Sequence, residues 1–187
     1  MKKLILSVFA LAAIVLSANA VETKSVAGSA TLQSQITLSD DITDAGLTGA
    51  VGGLLQFGKI GIGTTASTVL VNAATSERTK TGSASIASSD LAVSAAGYAV
   101  AGGENMTYIL TVPTTATLSA SGATDLTISA IKVYGKNAAA TVDAGSITYT
   151  LSATGKDAFA IGGTLEVPSN ATAAAYTGNF DVTVAYN

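Results

Sequence analysis

Tyr176-Thr-Gly-Asn-Phe-Asp-Val-Thr-Val-Ala-Tyr-Asn187 closes the chain and decides how the rest is read. Tyr176, Gly178, Phe180, Val182, Val184 and Tyr186 share one parity, and Thr177, Asn179, Asp181, Thr183, Ala185 and Asn187 share the other. Side chains alternate across a β-strand, so the stretch predicts a strand with one apolar and one polar face. A strand wet on one side suits an antiparallel sheet packed over a core. The run before it alternates too, with Phe159, Ile161, Gly163, Leu165 and Val167 on one face. Pro168 to Ala174 supplies turn formers between the two runs, which predicts a terminal β-hairpin with a rather long loop.

Working upstream, Ile147, Tyr149, Leu151 and Ala153 alternate with Thr148, Thr150 and Ser152. Met106 to Val112 reads as a strong strand that stops at Pro113, which has no N–H to give a ladder. Leu126 and Ile128 lie on one parity but Ile131 and Val133 on the other, so a β-bulge or a change of sheet is expected near Ala130. Leu54 to Ile60, with Phe57 at its centre, and Thr68 to Asn72 are further strands, while Ala84–Ile86 and Leu91–Val93 are weaker. Tyr108, Tyr149, Tyr176 and Tyr186 fall on core-facing positions, and Tyr98 and Tyr134 are the candidates for exposure. No helical period is sustained after residue 54, and no exact repeat occurs. The fold class is therefore all-β: an Ig-like antiparallel β-sandwich over residues 54–187.

Two segments precede it. Residues 1–20 read as a signal peptide, with Lys2 and Lys3 before an apolar run from Leu4 to Leu16 and Ala18-Asn-Ala20 as the cleavage motif. Residues 21–53 read as an extended segment followed by a Gly-rich linker. Val26, Gly28, Ala30, Leu32, Ile36 and Leu38 share a parity, small and apolar, within the stretch Val21 to Leu38. Extended, those 18 residues reach roughly 59 Å at about 3.3 Å each, enough to leave the domain and cross a neighbour. An ordinary first strand of the same domain is the other reading. Asp40, Asp41 and Asp44 miss the spacing of a calcium loop because Ile42 stands where a ligand is needed, so a solvated turn or a short Asp-capped helix is expected. Gly46 to Gly53 lacks the Lys-Ser/Thr ending of a phosphate loop and reads as a mobile linker.

Composition narrows the chemistry. The chain has no His and no Cys, which removes Ser-His-Asp and Cys-His catalysis, His- or Cys-ligated metals and disulfides. Taking Lys2 and Lys3 from nine basic residues leaves seven against twelve acidic ones, a net charge of −5 after signal removal. That balance argues against nucleic acid and anionic membranes as partners. Asp143, Asp157 and Glu166 are the acids nearest a glycosidase-like pair, but they read as isolated acids in turns or on wet faces. No enzyme activity, cofactor or metal is expected.

Four stretches together resemble a family of exported bacterial β-sandwich proteins known only as a domain of unknown function: Leu54–Ile60, Thr107–Pro113, Ile161–Val167 and Tyr176–Tyr186. That family is similar in turn to spore coat protein U and to archaic chaperone–usher pilins, with an early Phe-Gly strand and a closing Tyr-Thr-Gly strand, and the resemblance implies that the sandwich is pilin-like. The resemblance implies that Val26, Gly28, Ala30 and Leu32 match a donor segment. It also implies that Tyr186 matches the penultimate aromatic that pairs with a periplasmic chaperone. Phe180, Val182 and Val184 complete that strand. This chain departs from the pattern in lacking the Cys pair of many pilins and in carrying the Gly-rich insert at 46–53.

Two functions are carried forward. One is a structural subunit of a fimbria-like fibre whose N-terminal segment fills a groove in the next subunit, with other subunits, a periplasmic chaperone and an outer-membrane usher as partners. It would act from the periplasm to the cell surface. The alternative is a self-complete secreted module that binds a glycan or a surface protein. Six Tyr and no Trp give that alternative few aromatic platforms.

Overall fold

The computed structural model describes residues 21–23, 35–86 and 92–187. In chain order the strands are β1 (Val21–Thr23), β2 (Thr37–Ser39), β3 (Val51–Gly52), β4 (Gln56–Phe57), β5 (Ile60–Gly61) and β6 (Ser67–Val71). There follow β7 (Arg78–Thr81), β8 (Ser85–Ile86), β9 (Val93–Ser94), β10 (Ala96–Ala101), β11 (Thr107–Thr111) and β12 (Ala116–Leu118). The last five are β13 (Leu126–Gly135), β14 (Ala140–Asp143), β15 (Ser146–Thr150), β16 (Lys156–Val167) and β17 (Thr183–Tyr186). No helix occurs among the described residues. The protein is an all-β antiparallel sandwich.

A smaller sheet runs in the order β1-β17-β11-β15. The larger sheet runs β12-β13-β16-β10-β2, with β14 on β13, β3 on β10 and β6 on β16. β16 is its spine: the first half lies between β10 and β13, and the second half between β6 and β13. A strand with neighbours on both edges and another sheet over one face is buried almost throughout, as Asp157 to Gly163 are. Tyr108, Leu110 and Val184 from the small sheet meet Ile161, Phe159 and Val133 from the large one in a single core. Tyr98 stacks on Phe159 with ring centroids 5.4 Å apart.

The phase flip in β13 is a bulge, as expected. Its register with β16 shifts between Ser129 and Lys132, and Ala130 sits at φ 45°. The extra residue turns Ile131 and Val133 inward after Leu126 and Ile128, so both halves of the strand feed the core. β11 ends at Thr111, two residues before Pro113.

The expected terminal hairpin is not formed. β16 belongs to the large sheet and β17 to the small one, with residues 168–182 passing between them. The two runs alternate alike, but alternation fixes only which side chains face inward and leaves the partner strand open. The parity of the last stretch holds: Val182, Val184 and Tyr186 are buried, and Phe180 is half-buried. Only Thr183–Tyr186 pairs as a strand, however.

Residues before 54 also join the large sheet. β2 pairs antiparallel with β10, and β3 pairs with the same strand in parallel. The Gly46–Gly53 stretch is thereby tied down through Val51 N to Ala95 O at 3.0 Å and Gly53 N to Gly97 O at 3.0 Å. The Asp40–Asp44 stretch is a turn. The Asp41 carboxylate accepts the Thr43 N–H at 3.1 Å and its hydroxyl at 2.6 Å, and those bonds hold its pKa below the ordinary value.

Candidate functional site

The last strand is half built, and its unbuilt half lines a groove. Thr177 makes an isolated bridge to Ser119 beside β12, and the ladder resumes only at Thr183. Gly178 to Val182 belong to no strand. They form one wall of a groove of about 560 Å³, with Leu38, Leu54, Leu55, Tyr98 and Leu118 among the opposing residues. Apolar and polar surface line it in about equal parts. Phe180, Leu55 and Leu118 are half-buried, and Leu54 is 51% exposed, the highest among the exposed large hydrophobics. Gly178 is required where this wall meets β12, since a Cβ there would lie 2.1 Å from Thr117 O.

β1 is the strand beside this wall. It runs antiparallel to β17, with Val21 opposite Ala185, Glu22 opposite Val184 and Thr23 opposite Thr183. Its chain direction therefore points along Val182 toward Gly178. At the other end of β17, Tyr186 is buried, and its Oη accepts the Gly103 N–H at 2.7 Å.

Of the segment residues singled out in the sequence, Ile36 and Leu38 are 0% and 8% exposed in this chain's own core. β2 carries Leu38 into the groove floor. Val26, Gly28, Ala30 and Leu32 lie outside the described residues. Phe180 and Val182 line the groove, while Val184 and Tyr186 sit in the core beyond it.

Asp157 is a correction to the sequence reading. It was expected on a wet surface but is only 6% exposed. Asp143 and Glu166 are exposed. Asp157 shares its parity with Phe159 and Ile161, the apolar face already identified, and that was the available signal. The neighbouring Thr154-Gly-Lys sequence made it look like part of a turn. Among the described residues, no three His, Cys, Asp or Glu are placed to hold a metal ion.

No curated protein and no solved structure matches the chain. One family does: the one described as a domain of unknown function (DUF4402), over residues 47–186, from just before β3 to the end of β17. That match covers well over half of the sequence and includes the groove wall and both sheets apart from β1 and β2, so the chain belongs to the DUF4402 family.

Proposed function

We propose that the protein is a non-catalytic structural subunit of a surface fibre, exported through the periplasm and joined to its neighbours by β-strand complementation. The observation that carries this reading is the wall at Gly178–Val182, a stretch without a ladder partner among the described residues, beside a groove into which Leu54, Leu55, Leu118 and Phe180 project apolar surface. Backbone edges and apolar pockets at alternate positions are what an added strand recognises.

The register of β1 names the occupant. A donor strand that kept the register of Val21–Thr23 would set Val26 opposite Phe180, Gly28 opposite Gly178 and Ala30 opposite Tyr176. Directly opposed residues in an antiparallel pair face the same side, so the small apolar parity of the N-terminal segment coincides with the inward parity of the last strand. Val21–Thr23 of the same chain holds the start of this edge, but chain length favours a second copy, displacing it, as the source of a strand that runs the full length of the wall. A strand paired as far as Tyr176 ends nine positions, ~30 Å, beyond the level of Val21. β2 begins back near that level, because Thr37 lies opposite Ala101 and the next residue, Gly102, packs under Tyr186. The seven steps from residue 30 to Thr37 reach at most ~25 Å extended. A neighbour's segment has no such return to make. A periplasmic chaperone that lends a strand to the same edge, and an outer-membrane usher, are the partners this reading implies.

The test is the mature chain without residues 21–34, which keeps Ile36 and Leu38. It is expected to melt lower than the full chain. A peptide of residues 21–34, at a hundred times its Kd, should then raise the melting temperature by ~5–10 °C. If the truncated chain melts like the full one and ignores the peptide, the reading fails. A self-complete secreted binding module then takes its place.

A further inference from the structure

One buried carboxylate ties the two sheets together. Asp157 Oδ2 accepts the Tyr108 hydroxyl of β11 at 2.9 Å. Its Oδ1 accepts the Ala158 N–H at 2.7 Å and the Asn137 N–H, from the β13–β14 turn, at 3.2 Å. None of these partners is a cation. The surrounding groups do not supply one either. Tyr149 of β15 is adjacent, its hydroxyl buried without a partner among the described residues. Lys136 donates to Gly46 O at 2.7 Å. Lys156 lies on the opposite parity of β16 and is exposed, and Asp41 and Asp44 stand across the same outer cavity of about 430 Å³. Opposite Asp157 on β10 is Val100.

We propose that Asp157 is a proton-sensitive tie between the sheets, one that holds the sandwich more tightly once its carboxyl takes up a proton. A carboxylate removed from water with no cation beside it is costly, and a neutral carboxyl is not. Protonation does not break the tie. The Tyr108 hydroxyl both donates and accepts, so a protonated Oδ2 donates to it and the bond reverses direction. Burial outweighs the three hydrogen bonds and pushes the Asp157 pKa up from the ordinary 3.8. The folded chain therefore holds this proton at pH values where the unfolded chain has released it. The resulting stability is present in full below 3.8 and is lost as pH rises through the raised value.

The experiment is the melting temperature of the full mature chain and of Asp157→Asn from pH 3.5 to 8. Asparagine mimics the neutral acid: Oδ1 keeps the two N–H bonds and Nδ2 donates to Tyr108 Oη. The variant is expected to melt higher than the parent at pH 7.5, by on the order of 2–6 °C, with the gap closing below pH 4. A gap that does not change with pH overturns the proposal, as does a variant that gains on the parent toward acid. Should the variant not fold, carboxyl ¹³C titration of the unmodified protein decides. A midpoint for Asp157 clearly above 3.8 supports the tie, and one at or below 3.8 overturns it.

Discussion

Phe159→Ala is expected to lower the unfolding free energy by about 3–5 kcal/mol. The ring is 0% exposed, belongs to the spine strand β16, and stacks on Tyr98. Its removal loses the transfer energy of a full aromatic side chain and leaves a cavity where both flanking strands are fixed by ladders. Urea unfolding reads this as a lower midpoint at unchanged slope. The same truncation at Phe180, half-buried on the groove wall, is expected to cost about 1 kcal/mol in the isolated chain, because that ring has yet to be covered. Equal losses at the two positions would mean that the groove is already filled in solution.

Gly162→Ala is the second large loss, about 3 kcal/mol. A Cβ at Gly162 would stand 2.2 Å from Val71 O and 2.6 Å from Ala73 N, both backbone atoms. A flexible neighbour can swing away from a new methyl group, but a backbone amide held at a strand end cannot do so cheaply. Gly162 is also where β13 re-enters register with β16 after the bulge, opposite Lys132. The clash therefore strains the joint between β6, β16 and β13 at once. Gly122→Ala serves as the control. It meets no atom within 4 Å and bears only its φ of 73°, for a cost of about 1 kcal/mol. Thermal unfolding of the two variants should separate them clearly. Similar melting temperatures would show that the chain relaxes around position 162.

How much of this could be read beforehand follows from what alternation encodes. Parity predicted the inward set Val182, Val184 and Tyr186, and the phase change at Ala130 predicted the bulge, because both are local consequences of a two-residue period. Strand partners are not local. Nothing in Phe159–Val167 and Tyr176–Tyr186 says that one joins the large sheet and the other the small, so the hairpin expectation was reasonable and wrong. The wall at Gly178–Val182 was hidden for the same reason: its residues carry a strand's pattern without a strand partner among the described residues. The parity that Asp157 shares with Phe159 marks it as inward-facing, although Thr154-Gly155 just before it has the look of a turn. The reading of Val21–Leu38 as a first strand of the same domain fits β2 at its end, whereas β3 lay hidden in a glycine-rich stretch, because its pairing with β10 depends on chain far away in sequence.

The central claim is that a second copy's N-terminal segment pairs along the groove wall in the register of β1. The chain has no cysteine, so in the mature protein carrying Val26→Cys and Phe180→Cys the only thiols are at these two positions, and each single-cysteine variant controls for like-with-like pairing. After mild oxidation, a non-reducing gel should show a ladder of multimers linked between positions 26 and 180. The ladder should be absent when the second cysteine replaces Asn179, which faces the opposite side. Monomers alone, whether cross-linked internally or left unlinked, would contradict the account.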